Sequence, residues 1–220
     1  MVDFNTCATT TSGNIRTPKA RLSYVFFESP NPRAKVTSGA NAGKLKYTCS
    51  LLIPETSDIT LLRQAANAAA IEEFGAEKVK ALIEAGKWNS PFLNAFEKSR
   101  TEKNPSGDEA TKGFIMIRTD SLQRPGIVEA NGKPIGDDFS GVYPGRWCFA
   151  TLNASAYPAI DGGKPGVKFY LGNVQLLDHD TRLGGGRPNA EDEFAPVEGI
   201  AGGKAADTDS VFGDGADALM

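Results

Sequence analysis

Read for the alternation of hydrophobic and polar positions, the chain yields strands first. Residues 21–28, Arg-Leu-Ser-Tyr-Val-Phe-Phe-Glu, are rich in the aromatic and β-branched side chains that suit a pleated surface. Tyr24, Phe26 and Phe27 fall on both faces of that strand and are expected in the core. Residues 44–53 alternate cleanly, with Leu45, Tyr47, Cys49, Leu51 and Ile53 on one face and Lys44, Lys46, Thr48 and Ser50 on the other. This predicts a half-buried strand with a basic outer face, ended by Pro54. Further strands are expected over 113–119, 146–157 and 167–177, with a hairpin across 126–135 that turns at Asn131-Gly132.

Between the second and third strands the period changes to that of a helix. Ile59, Leu62, Ala66, Ala70 and Phe74 recur at helical spacing, Ser57 or Asp58 can cap the start, Gly75 weakens the middle and Gly86 is placed to end it. Residues 87–112 read as a short helix from Ser90-Pro91 followed by an excursion loop. The small, polar residues 1–14 are expected to form a flexible arm. Gly184-Gly-Gly-Arg-Pro188 reads as a hinge, and the Gly/Ala-rich remainder as a disordered tail. The predicted organisation is an arm (1–14), a β body (15–188) with a helical and loop insertion (57–112), and a tail (189–220). With no βαβ alternation, a small closed antiparallel barrel fits the strand count best, and a flattened sandwich is the alternative.

Charge sharpens this division. The net charge of −3 averages two unlike parts. Residues 1–188 hold 23 of the 24 Lys/Arg and 19 of the 27 Asp/Glu, a balance of +4, whereas 189–220 set Lys204 against eight acids, a balance of −7. A mildly basic body joined to an acidic tail suggests a nucleic-acid surface and an interaction tail on one chain.

Catalytic and metal constellations are not found. Cys7, Cys49 and Cys148 are widely spaced, no C-x-x-C occurs, and His179 is the only histidine, so a Cys/His zinc site cannot be assembled. His179 lies between Asp178 and Asp180 without a G-x-S-x-G nucleophile turn, which leaves a solvated turn histidine. Residues 39–44, Gly-Ala-Asn-Ala-Gly-Lys, are one residue short of a phosphate loop, and Leu45 stands where a magnesium-binding hydroxyl is needed. Asp137-Asp138 and Glu191-Asp192-Glu193 read as exposed acidic turns. No enzyme, cofactor or metal is therefore expected. Residues 1–13 lack the features of a signal peptide and no apolar run reaches membrane-spanning length, so a reduced intracellular setting is expected.

The chemistry that is present is of another kind. Binding single strands without sequence preference needs cations for phosphates and aromatic faces for bases, each stacked base contributing about 1–3 kcal/mol. The strand 146–157 places Trp147, Phe149, Asn153 and Tyr157 on one face, beside Arg146, with the small apolar Cys148, Ala150, Leu152 and Ala154 on the other. Lys168 and Tyr170 share a face of the last strand, and Lys44 and Lys46 occupy the outer face of an earlier one. These nine residues form the candidate DNA face. Trp147 and Phe149 can equally be core residues with the small side chains packed under the helix.

Several segments, in order, carry a family resemblance: residues 125–135 (Pro-Gly-Ile-Val-Glu-Ala-Asn-Gly-Lys-Pro-Ile), 142–145 (Val-Tyr-Pro-Gly), Asn153-Ala-Ser-Ala-Tyr157, 172–175 (Gly-Asn-Val-Gln) and 183–194 (Leu-Gly-Gly-Gly-Arg-Pro-Asn-Ala-Glu-Asp-Glu-Phe). Together with 21–28 and 46–54 they resemble the phage single-stranded-DNA-binding proteins related to the T7-type replication protein, over roughly residues 18–195. The resemblance implies a five-stranded Greek-key OB-fold barrel with extra strands, sequence-tolerant binding of single-stranded DNA in phage replication and recombination, and a place in the cytoplasm of an infected bacterium. A homodimer is a further expectation. Two positions depart from the family pattern: Phe149, where a basic residue is common, and Ala154-Ser155, where bulky aromatics are.

Tails of similar proteins recruit polymerase and helicase, and here Asp207, Asp209, Asp214 and Asp217 stand among Phe212, Leu219 and Met220. A tethered charge of −7 can also compete with phosphates for the basic groove. Two other functions stay open on sequence: an RNA-binding OB protein and a structural or scaffold component of a virion.

Overall fold

A computed structural model of the chain describes residues 2–37, 39–160 and 162–183. The chain divides into two units, Met1–Gly185 and Gly186–Met220, and the described residues all lie in the first. The expected hinge and tail, with Asp207, Asp209, Phe212, Asp214, Asp217, Leu219 and Met220, lie outside the described residues.

The unit is mainly β. In chain order it comprises β1 (Ala8–Thr9), β2 (Ile15–Arg16), β3 (Ala20–Lys35), β4 (Leu45–Pro54), α1 (Thr60–Phe74), α2 (Ala76–Glu84), β5 (Leu93–Asn94), α3 (Ala95–Ser99), β6 (Phe114–Ser121), β7 (Ile127–Val128), β8 (Trp147–Tyr157) and β9 (Gly166–Leu176). A short 3₁₀ turn, Glu109–Thr111, precedes β6. Antiparallel pairings join β3 to β4, β4 to β6, β8 to β9 and β8 back to β3, and a parallel pairing joins β6 to β9. The five long strands thus form a circuit. Two of its seams are short: β6–β9 is made by Thr119↔Phe169 and Asp120↔Tyr170, and β3–β8 by Ala20↔Cys148 and Arg21↔Trp147. The sheet curls on itself without becoming an evenly bonded barrel.

Alternation explains the interior. Leu22, Phe27, Cys49, Leu51, Ile53, Ile117, Leu152, Phe169, Leu171 and Leu176 point inward and are almost fully buried. Burying each such side chain contributes roughly 1.5–3 kcal/mol. One side of the circuit is closed by α1, whose Leu62, Ala66 and Ala70 are buried against the sheet. Two alanines at that spacing let the helix axis approach β8 closely. The helix begins at Thr60, later than Ser57 or Asp58 suggest, although the Asp58 carboxylate still accepts from the Thr60 N–H at 2.8 Å. Gly75 (φ 78°) breaks it into two. Gly86 (φ 64°) terminates α2, where the Lys87 N–H returns to the Leu82 carbonyl. No helix among the described residues is long and apolar enough to cross a membrane.

Three expectations are corrected. The N-terminal segment is docked, because β1 and β2 form a hairpin whose second strand pairs with β8, and Phe4 stacks on Phe149 with centroids 5.5 Å apart. The helix after Trp88 starts at Ala95, because Asn94 supplies the cap that Ser90 does not; Ser90 bonds to Phe92 instead. Tyr24 is not in the core: it is 65% exposed, whereas Phe27 is 2% exposed.

Candidate nucleic-acid interface

The outer face of the circuit is polar where β4, β6 and β9 lie side by side. In register, Thr48 faces Asp120 and Ser50 faces Arg118 across β4–β6, and Asp120 faces Tyr170 across β6–β9. Alternation therefore delivers Lys46, Thr48 and Ser50, then Arg118 and Asp120, then Lys168 and Tyr170, to one continuous surface. Lys46 Nζ lies 2.9 Å from Asp120 Oδ2 and Lys168 Nζ 3.8 Å from Oδ1, with Lys168 also 4.2 Å from the Tyr170 ring centroid.

The far wall of this surface comes from β3. Between Ser23 and Phe26 its register with β4 shifts, and Tyr24, inside that bulge, has φ 48°. A non-glycine residue held there costs on the order of 1–3 kcal/mol and persists only where its surroundings enforce it. The bulge turns the Tyr24 ring outward, beside the half-buried Phe26. Farther along, Asn31 Nδ2 donates to Thr48 Oγ1 at 3.0 Å and fixes the segment that carries Pro32 and Arg33. The resulting groove, about 770 Å³, is lined by Tyr24, Phe26, Arg33, Lys46, Lys98, Met116, Arg118, Asp120 and Lys168 among others. Among the described residues its lining holds five cations, with Asp120 as the sole carboxylate. Such a groove can neutralise phosphates and offer ring faces to bases.

The chain matches the family model described as Enterobacter phage Enc34, ssDNA-binding protein, over residues 13–209. It belongs to that family. The family is one of DNA-binding proteins and not of enzymes. Among solved structures, the single-stranded DNA-binding protein from bacteriophage Enc34 in complex with ssDNA is similar at 15% identity and TM-score 0.53, over 84% of this chain and 96% of that one. The gp2.5 single-stranded DNA-binding protein of bacteriophage T7 is similar at 16% identity and TM-score 0.51, over 84% and 97%. At these identities the likeness is one of fold. No curated protein matches by sequence.

Within this family member the nine residues singled out from sequence are not all together. Lys46 and Lys168 line the groove, Tyr170 stands beside it at 42% exposed, and the exposed Asn153 is the register partner of Tyr170 across β8–β9. Tyr157 is half-buried opposite Gly166 at the end of the same pair. Lys44 is exposed on the loop before β4 and donates to Asn41 Oδ1.

Arg146, Trp147 and Phe149 lie outside the groove. Arg146 is 4% exposed; its Nε donates to the Leu177 carbonyl and its two terminal nitrogens contact His179 and Glu129. Phe149 does sit on the outer face, as alternation requires, but Phe4 and the Arg16 guanidinium, 4.1 Å from its ring, cover it. Trp147 is half-buried, with Lys19 4.8 Å from its ring and Nε1 donating to Asp180 at 2.8 Å. His179 is exposed after β9, as a solvated turn histidine would be, and its Nδ1 also lies 2.9 Å from Tyr143 Oη.

Missing from the sequence reading are Tyr24, Phe26, Arg33, Lys98 and Arg118. Arg118 had a legible signal, since Met116, Arg118 and Asp120 alternate with Ile117 and Thr119. Tyr24 had none, because a bulge alters which face a residue joins. Burial pushes the Cys49 thiol up to about 12 and the Cys148 thiol well above its ordinary value. Among the described residues no cluster of His, Cys, Asp and Glu is arranged to hold a metal ion.

Proposed function

We propose that this protein coats single-stranded DNA during phage replication and recombination, without catalysis and with little sequence preference. The observation that carries this reading is the groove itself: cations on four adjacent strands, β3, β4, β6 and β9, and on α3, with Tyr24, Phe26 and Tyr170 along it, on a fold shared with proteins described as single-stranded-DNA-binding. We read the circuit β3–β4–β6–β9–β8, with its parallel β6–β9 seam, as an OB-fold Greek-key barrel to which β1, β2, β5 and β7 are additions. The DNA-binding set is Lys44, Lys46, Asn153, Tyr157, Lys168 and Tyr170 together with Tyr24, Phe26, Arg33, Lys98 and Arg118. The place of action is the cytoplasm of the infected bacterial host.

The acidic tail is proposed to compete with DNA and to recruit replication proteins such as polymerase and helicase through Phe212, Leu219 and Met220. Charge supports competition: residues 189–220 carry a balance of −7 against +4 on the body. A homodimer is the proposed assembly.

The test is fluorescence anisotropy of a labelled 30-nucleotide oligo-dT over a salt series, with the full chain and with a chain ending at residue 195. The expected result is affinity falling with salt at a log–log slope of about −0.7 per phosphate neutralised. Truncation is expected to tighten binding at low salt. Failure of both proteins to bind at low salt would overturn the reading. Preference for a matched RNA competitor would turn it into an RNA-binding one.

A further inference from the structure

Tyr24 divides two cavities of unlike chemistry. On one side lies the basic groove. On the other lies a cavity of about 520 Å³ walled by Ser23, Thr101, Asn104, Asp108 and Met116, with no lysine or arginine among its described lining residues. Tyr24 and Met116 belong to both. A phosphate finds no cation on those described lining residues and would face the Asp108 and Glu109 carboxylates there. A neutral, planar group with hydrogen-bonding edges suits it.

The carboxylates are not equivalent. Glu109 is engaged, its Oε2 lying 2.6 Å from Lys112 Nζ. Asp108 uses Oδ1 to accept the Ala110 N–H at 3.0 Å, which leaves Oδ2 for a ligand, and its own N–H is fixed by Ser99 Oγ at 2.7 Å. Gly107, the residue before it, has φ 80° and packs against Phe96, where an added Cβ would come within 2.8 Å of the ring. The loop that presents Asp108 is therefore held in place. Opposite it, Tyr24 is alone among the described non-glycine residues in having a positive φ. A ring aimed by an enforced backbone conformation is a preset stacking surface.

We infer that this cavity is a nucleobase pocket: Tyr24 stacks one base of the bound strand and turns it away from the cation-lined track, and Asp108 accepts a hydrogen bond from that base's exocyclic amino group. The inference rests on the reading of the groove as a single-stranded-DNA site. A carboxylate pairs with the 4-amino group of cytosine and is repelled by the 4-carbonyl oxygen of uracil or thymine. The protein therefore carries a modest preference for amino-bearing bases at one position within otherwise sequence-tolerant binding.

The experiment compares labelled 12-nucleotide oligo-dC and oligo-dU at pH 7.5 by anisotropy, since these strands differ only in the 4-amino or 4-carbonyl group and in the N3 proton that goes with the carbonyl. The full chain and its Tyr24→Ala and Asp108→Asn variants are measured. The wild-type chain is expected to bind oligo-dC at least about fivefold more tightly than oligo-dU, the size of one charge-assisted hydrogen bond at a partly open site. Asp108→Asn is expected to reduce that ratio below about twofold while oligo-dU binding holds, and Tyr24→Ala to weaken both strands. Equal binding of the two strands by the wild-type chain, or a preference that survives Asp108→Asn, would overturn the pocket. Failure to bind either strand would instead overturn the DNA-binding reading beneath it.

Discussion

Lys46 on β4 and Asp120 on β6 meet across the strand pair at 2.9 Å, inside the groove proposed to receive phosphates. Lys168 approaches the other oxygen of the same carboxylate at 3.8 Å. In the free protein Asp120 thus occupies both cations, and a phosphate must displace it. The carboxylate holds the ammonium groups in place and weakens what they can gain from DNA.

Replacing Asp120 by Asn keeps the shape and removes the competition. Oligo-dT affinity at low salt is expected to rise by about twofold to fivefold, the worth of a solvent-screened pair. The log–log salt slope is expected to steepen toward one further phosphate. Lys46→Ala is expected to weaken binding and flatten the slope by about 0.7. Anisotropy over a salt series reads all three, and weaker binding by Asp120→Asn would refute the competitor role.

Phe149 and Arg146 are expected to matter for stability and not for DNA. Phe149→Ala removes a buried ring clamped by Phe4 and Arg16, at a cost of roughly 3–5 kcal/mol. Arg146→Ala strands Glu129 and frees His179 and the Leu177 carbonyl. Urea unfolding is expected to show both losses, while the folded fraction of each variant binds oligo-dT within about twofold of wild type.

How far the sequence carried is seen by comparing particular segments. In residues 44–53 alternation fixed which face each side chain joins but not how deeply it lies: Cys49–Ile53 are buried on both faces, Leu52 against Ala95 and Met116 on the face that carries Lys46 and Thr48. Residues 146–157 alternate as well, and Phe149 does point outward. What could not be read is that Phe4, a lone aromatic in a small polar segment, returns to cover it. Tyr24 was hidden for the opposite reason: a one-residue bulge moves it out of the core that periodicity assigns. Arg146 is a cation beside an aromatic in sequence, and only the fold brings Glu129, His179 and Leu177 around it.

Acid is expected to loosen the segment after β9. Hydrogen bonds from the Thr181 N–H and the Trp147 indole hold the Asp180 carboxyl below the usual range, and Lys19 does the same for Asp178. A carboxyl lowered in the folded state contributes stability above its unfolded value, near 3.9, and loses it as pH falls further. The thermal midpoint is expected to drop below about pH 4, and less so in Asp178→Asn. An identical pH profile in that variant would remove Asp178 from the account.

Both tryptophans lie away from the groove, Trp147 over Lys19 and beside Asp180, Trp88 against Phe74. DNA binding is therefore expected to leave most intrinsic tryptophan emission unquenched, and Trp147→Phe to bind oligo-dT normally. Strong quenching that disappears in Trp147→Phe would return Trp147 to the contact face.

The most direct test of where DNA lies is photo-crosslinking of the full chain to an oligonucleotide containing 5-iododeoxyuridine, followed by mass spectrometric mapping of the modified peptides. The groove predicts adducts on Tyr24, Phe26 or Tyr170, each lost on addition of unlabelled oligo-dT. Adducts confined to Phe4, Trp147 or Phe149 would place the strand on the opposite end of β8 and contradict it.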